Sequence, residues 1–170
     1  LTANGKTLTQ PLTIKMDPRV KTPMTGLEQM FTHSMRAYTG IQQANEAINQ
    51  TQALRAQLRS LQERAGKGLL ADAITALDQQ AADLAGTGGV GRRGGGGGAN
   101  LNGSMGTLTG LLEVFEGADV TPTTQAIAAS DEAQRALSAL LARWEEVKTK
   151  NVPSLNERLR RAKLPLINLP

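Results

Sequence analysis

The chain has 170 residues, of which 39% are hydrophobic and only 2% aromatic, so Leu and Ala must fill its core, a composition that favours helices over strands. There is no cysteine, which excludes disulfides, thiolate zinc sites and cysteine nucleophiles, and no run of about 18 apolar residues, which excludes a membrane-spanning helix. The formal charge of +4 is unevenly placed: Lys6, Lys15, Arg19 and Lys21 against Asp17 put +3 on residues 1–22, and the remainder is close to neutral, without the basic stripe of a nucleic-acid footprint.

The first element is a hairpin. Asn4-Gly5 sits between Thr-rich flanks, and a type I′ turn needs positive φ at both central residues. After the turn, Leu8, Leu12, Ile14 and Met16 alternate with Thr7, Thr9, Thr13 and Lys15, as in a half-buried strand; Pro11 suits an edge or a bulge. Only three residues precede the turn, and a hairpin this lopsided is not stable alone. The expectation is that residues 1–22 are the last strand and connector of an upstream β-domain, that the chain is the C-terminal piece of a larger protein, and that the apolar strand face is exposed without that domain.

From about Met24 the period lengthens to that of a helix. A first helix is expected over Thr25 to Arg64, with Thr25 and Glu28 at capping-box spacing. Its core stripe reads Leu27, Met30, Phe31, Ser34, Tyr38, Ile41, Ala44, Ile48, Leu54, Leu58 and Leu61. Gly66 and Gly68 end it. The second helix runs from Leu69 to Ala85, with Leu70, Ile74, Leu77, Ala81 and Leu84 inward. Gly86 to Gly98, containing Arg92-Arg93, reads as a flexible loop. A third helix follows with Leu101, Met105, Leu108, Leu111, Leu112 and Phe115 inward; Gly103, Gly106 and Gly110 either weaken it or admit a close neighbour. The fourth, about Thr123 to Thr149, repeats Ala126, Ser130, Ala133, Leu137, Leu140, Trp144 and Val147 in steps of four and three, the spacing of an antiparallel seam. A short last helix starts at Asn151 or Val152 with Pro153 in its first turn and Leu155, Leu159 and Ala162 inward. Pro165 and Pro170 close an extended tail. Residues 23–170 thus read as an all-α, antiparallel up-and-down bundle of about four main helices plus a short one.

Chemistry-bearing residues are few. His33 is the one histidine; bundle metal sites need Glu-x-x-His pairs, so it reads as a boundary or surface residue. Asp72, Asp78, Asp83, Glu113, Glu116, Asp131, Glu132, Glu145 and Glu146 read as solvated faces rather than a paired-carboxylate cleft. The glycine run lacks the Gly-Lys-Ser/Thr of a phosphate loop. Tyr38 and Trp144 read as core residues, and Arg158, Arg160, Arg161 and Lys163 as a solvated basic face near a helix C-terminus. No catalytic, cofactor-binding or metal-ligating residue is assigned.

The junction from Leu8 to Pro23, with its Lys15-x-Asp17-Pro18-Arg19-Val20 core, resembles the C-terminal region of bacterial exported proteins with sortilin-like, BNR-repeat β-propellers, often labelled glycosyl hydrolases. Gly117-Ala118-Asp119 with Pro122-Thr123-Thr124-Gln125, and Trp144 with Lys150, Asn151, Val152, Pro153, Leu155 and Asn156, extend the likeness over nearly the whole chain; the glycine loop departs from it. The resemblance implies an immunoglobulin-like β-sandwich upstream, export to the periplasm or cell exterior, and a non-catalytic structural or interaction module whose partners are the sandwich and propellers of the same protein. The propeller's Asp-box, Ser-x-Asp-x-Gly-x-Thr-Trp, is absent, so no catalytic residue carries over. The alternative is a free-standing helical adaptor that binds a partner helix or peptide. Neither reading involves a cofactor, a nucleic acid or a membrane span.

Overall fold

The computed structural model describes residues 2–3, 5–7, 9–87 and 99–169. Leu8, and the glycine loop from residue 88 to 98 with Arg92 and Arg93, lie outside the described residues. At the N-terminus β1 (Thr2–Ala3) pairs antiparallel with β2 (Lys6–Thr7), Thr2 opposite Thr7 and Ala3 opposite Lys6. Gly5 takes φ 74° at the turn, as the Asn-Gly pair requires. The strand expected to continue to Met16 does not form: residues 9–16 are irregular. A strand exists only with a ladder partner, and none lies beside this segment among the described residues.

The first helix, α1 (Met24–Ala65), is 42 residues long, about 63 Å at 1.5 Å per residue. It begins one residue earlier than expected, with Pro23 at the N-cap, so the Thr25–Glu28 capping box does not form. The Pro23 carbonyl instead accepts from the backbone N–H groups of Gly26 and Leu27, at 2.9 and 3.2 Å. Helix α2 (Leu69–Ala85) and α3 (Leu101–Glu116) follow. Then come α4 (Thr124–Glu146), capped by the Thr123 hydroxyl accepting from Ala126 N, and α5 (Val152–Arg161).

These helices form three rods that run up, down and up, which refines the expected up-and-down order. The first rod is α1. The second is α2 and α3 laid end to end, both antiparallel to α1. Arg55 meets Asp78 of α2, Gly40 faces Leu108, and His33 stacks on Phe115 of α3. As α1 descends in number, its partners rise from α2 into α3. The junction inside this rod is tight. Gly86 ends α2 in the left-handed conformation, its N–H bonded to Ala82 and Asp83 carbonyls, while Thr87 N reaches back to Ala82 O at 3.0 Å. This is a Schellman cap. A Cβ on Gly86 would collide with the Asn100 side chain, and Asn102 Nδ2 donates to Ala85 O at 2.6 Å. The two helix ends therefore touch, whatever lies between residues 87 and 99.

The third rod is α4, a π-turn over Val147–Asn151, and α5, continuous from Thr124 to Arg161. The expected break before the last helix is absent. Ser130, Leu137 and Trp144 meet His33, Gly40 and Gln50 in order, so this rod runs parallel to α1. The chain end is not a free tail, and Ala162, expected inward, is exposed. Lys163 takes φ 57° and turns the chain back. Ile167 is buried: its N–H and C=O both bond to the Asn156 amide, at 2.8 and 3.0 Å. Asn168 likewise exchanges two backbone bonds with the Gln57 amide, at 3.0 and 2.8 Å. Two side-chain amides thus serve the tail as a neighbouring strand would.

The core runs the length of the bundle through Leu54, Leu58, Leu61, Ile74, Leu84, Leu101, Leu108, Leu137 and Trp144. In the N-terminal half of α1 the inward face is small: Gly26, Ser34, Ala37, Gly40, Ala44 and Ala47 are buried. A Cβ on Gly40 would stand 2.8 Å from Leu108 Cδ1 and 3.2 Å from Leu137 Cδ2, so α3 and α4 approach α1 closely there. Gly106 and Gly110 of α3 meet nothing and admit no close neighbour.

Candidate functional site

The Asp-Pro-Arg-Val motif builds a compact turn. Pro18 has the preset φ that the second position of a turn wants, and Val20 N donates to Asp17 O at 3.0 Å. The Asp17 carboxylate accepts from Arg19 N at 2.9 Å and from the guanidinium at 2.7–3.1 Å. The guanidinium, then the backbone N–H, hold the Asp17 carboxyl below its ordinary pKa, and the carboxylate raises that of Arg19. Beyond the turn, the Thr22 hydroxyl donates to the Asp119 carbonyl in the α3–α4 loop. The connector is thereby tied to the bundle.

Around this anchor lies apolar surface. Leu12 is 85% and Ile14 90% exposed, and Met16 is open too. On α1, Met24, Phe31, Met35 and Tyr38 are also exposed, Phe31 by 64% and Tyr38 by 50%. Steps of seven, four and three put them in one stripe. This corrects the reading of Phe31 and Tyr38 as core residues. The face with Gly26, Ala37 and Gly40 turns inward because small residues let two other helices come close, which leaves the larger side chains on the opposite face.

His33 is likewise not at the boundary. It is buried, with Nδ1 3.1 Å from Ser130 Oγ and its ring stacked on Phe115 at 5.4 Å. A Ser–His contact invites comparison with an activated nucleophile. Ser130 is fully buried, however, so no substrate reaches its hydroxyl, and no carboxylate orients the far side of the ring among the described contacts. The contact satisfies two buried polar groups between helices. Among the described residues no group of three or more His, Asp or Glu could hold a metal ion.

Of the nine carboxylates read as solvated faces, four stand in separate cation pairs. Asp78 takes Arg55 at 2.8 Å in a partly buried fork, and Asp131 takes Arg36 at 3.3 Å. Glu145 and Glu146 take Lys148 and Lys150. Trp144 is 1% exposed, as expected of a core residue. Its indole N–H donates to Gln50 Oε1 at 2.9 Å and Lys148 lies 5.8 Å from its ring centre.

A groove of ≈ 500 Å³ lies between α2 and the π-turn with α5. Its floor is Ala73, Ala76, Leu77 and Leu155. Its far wall comes from a register shift. The α4 seam ends at Trp144 and Val147, and steps of four and three would continue it to Asn151, Ser154 and Arg158, all polar. The π-turn inserts one residue: Val152 N bonds to Val147 O, and the buried seam resumes at Val152, Leu155 and Leu159. Asn151, Ser154 and Arg158 are rotated out to face α2, and Asn151 Nδ2 reaches Gln80 Oε1 at 3.2 Å. The sequence signal for this wall was the polar interruption of a regular seam, which reads equally as a helix end.

Comparison of the chain with protein-family models, with curated proteins and with solved structures found no match. No described helix is long and apolar enough to cross a membrane. The class that the fold defines is a helical bundle with apolar surface at its N-terminal end.

Proposed function

We propose that the chain is a non-catalytic structural and interaction module that packs on a β-sandwich preceding it, in an exported BNR-repeat, sortilin-like propeller protein of the glycosyl hydrolase-like kind. The observation that carries this reading is the exposed, alternating Leu12-x-Ile14-x-Met16 segment. Among the described residues its backbone groups have no ladder partner, and its apolar face suits addition to a sheet edge. The Asp17–Val20 turn and the Thr22–Asp119 bond give that strand a fixed exit into the bundle, so a docked sheet would lie beside α1. The Lys15-x-Asp17-Pro18-Arg19-Val20 likeness supplies the kind of domain; the exposed segment supplies the physical need for one.

Hydrogen exchange tests it. In the chain alone, amides of residues 9–16 should exchange nearly as fast as in an unfolded peptide, while those of α4 stay protected. In the full-length gene product the same amides should become slow. Fast exchange in both would overturn the reading.

A further inference from the structure

We infer that the groove between α2 and α5 is a docking site for an acidic peptide segment with one apolar anchor residue. This rests on the groove and its charge, and is independent of where residues 9–16 pack.

Charge is the first observation. Residues 145–163 hold six cations against Glu145, Glu146 and Glu157, a net of +3 out of the chain's +4, and Lys150 and Arg158 line the groove. Lys148, Lys150 and Arg160 are each paired with a glutamate of their own helix. Among the described residues no carboxylate lies within ion-pair reach of Arg158, which stands at the groove wall. Cations do favour a helix C-terminus, but that does not require them to line a concavity.

The second observation is the register shift. A helix continuing regularly from Val147 would turn Asn151, Ser154 and Arg158 into the core. The π-turn keeps the seam apolar and lines these three up beside Lys150, opposite Gln80. π-Turns of this kind recur at functional sites. The resulting wall offers amide, hydroxyl and guanidinium donors suited to carboxylates, above a floor kept low by Ala73 and Ala76.

Shape selects the partner class. From Ala73 to Gln80 the α2 side runs about 10 Å, room for about three extended residues at about 3.3 Å each. The alkyl floor suits a leucine-sized side chain, and no aromatic ring lines it for a base to stack on, which single-stranded nucleic-acid sites use.

The probe is the acetylated pentapeptide Asp-Glu-Leu-Glu-Asp, followed by fluorescence anisotropy and amide chemical shifts on the full chain. Saturable binding is expected, with shifts centred on Gln80, Asn151 and Ser154, weakening as salt rises. Both Arg158→Glu and the floor-filling Ala76→Trp should weaken it by about tenfold or more. Thermal melts check that each variant folds. Should Ala76→Trp fail to fold, Ser154→Tyr obstructs the groove from its exposed wall and carries the same expectation. Binding unaffected by the obstructing variant would overturn the site in favour of diffuse charge. So would equal binding of the Lys-for-acid peptide, or displacement by equimolar oligothymidylate. Absence of any binding signal at about 1 mM peptide, where even a weak specific site with a Kd of about 1 mM is half filled, would also overturn it.

Discussion

The two halves of α1 solve one packing problem with opposite residues. Toward the C-terminus the inward positions are Leu54, Leu58 and Leu61, with Thr51 bonded to the Ala47 carbonyl. Toward the N-terminus they are Gly26, Ser34, Ala37, Gly40 and Ala44, with His33 as the largest. In the first case large side chains fill the space between well-separated rods. In the second, three helices come close enough that a single Cβ at Gly40 would press on Leu108. Burial follows from what the neighbours leave room for, and size alone does not predict it.

The largest effects should separate the two modes. Leu58→Ala removes a fully buried side chain and should cost about 2–5 kcal/mol, depending on how far the cavity collapses. Gly40→Val works in the reverse sense. It adds volume where Leu108, Gln134 and Leu137 already stand within 3.2 Å, and overpacking of this kind costs about 1–3 kcal/mol. Replacing a helical glycine by alanine would otherwise stabilise by about 0.5–1 kcal/mol, and by β-branched valine by less. Chemical denaturation of the two variants decides the matter. If Gly40→Val gained stability, the close approach would be looser than described and the contrast between the halves would fail.

A smaller effect probes the third rod. Deleting Thr149, an exposed residue of the π-turn, should convert it to a regular α-turn while Val147 and Val152 stay on one face. The cost should be under about 1 kcal/mol, as for other surface changes that leave the seam in place. Deleting Ser138 from regular α4 turns every later seam residue by about 100° and should abolish the cooperative thermal transition. Equal damage from both deletions would show that the π-turn is not a one-residue insertion.

Much of this architecture was legible in the residues, and the failures have physical causes. Helix α2 was legible at both ends because glycines stand just outside them, and the α4 seam because nothing interrupts its steps of four and three. The strand read as running to Met16 does not form, and Asp17–Val20, read as a strand end and an extended connector, closes a turn instead, as Asp-Pro chemistry allows. The collinearity of α2 and α3 was hidden, because a long glycine-rich stretch reads as a reversal, whereas Gly86 and Asn100 meet directly. The π-turn was hidden because one extra residue and a stop give the same local pattern. The buried tail was hidden because its partners, Asn156 and Gln57, act through backbone bonds spanning 11 and 111 residues. The groove wall followed the π-turn out of view, since Arg158 read as one more solvated cation.

The smallest expected effect bears most directly on what the N-terminal half of α1 is for. Phe31 and Tyr38 are 64% and 50% exposed and stand outside the buried core cluster, so replacing both with Ser removes only partly covered surface. Serine and aromatic residues have similar helix propensity, which leaves no backbone term. The double variant should therefore keep the stability of the chain within about 0.5 kcal/mol, as read by urea denaturation. A loss of several kcal/mol would mean that the stripe is part of the core and that the small-residue face is not the buried one. The same variant behaves differently if a β-domain rests on this end of the bundle. In the full-length protein it should speed hydrogen exchange in residues 9–16, because two apolar contacts beside the docked strand are gone. A variant that is silent in the chain but loosens the strand in the full-length protein would separate a surface kept apolar for a partner from one that is merely tolerated.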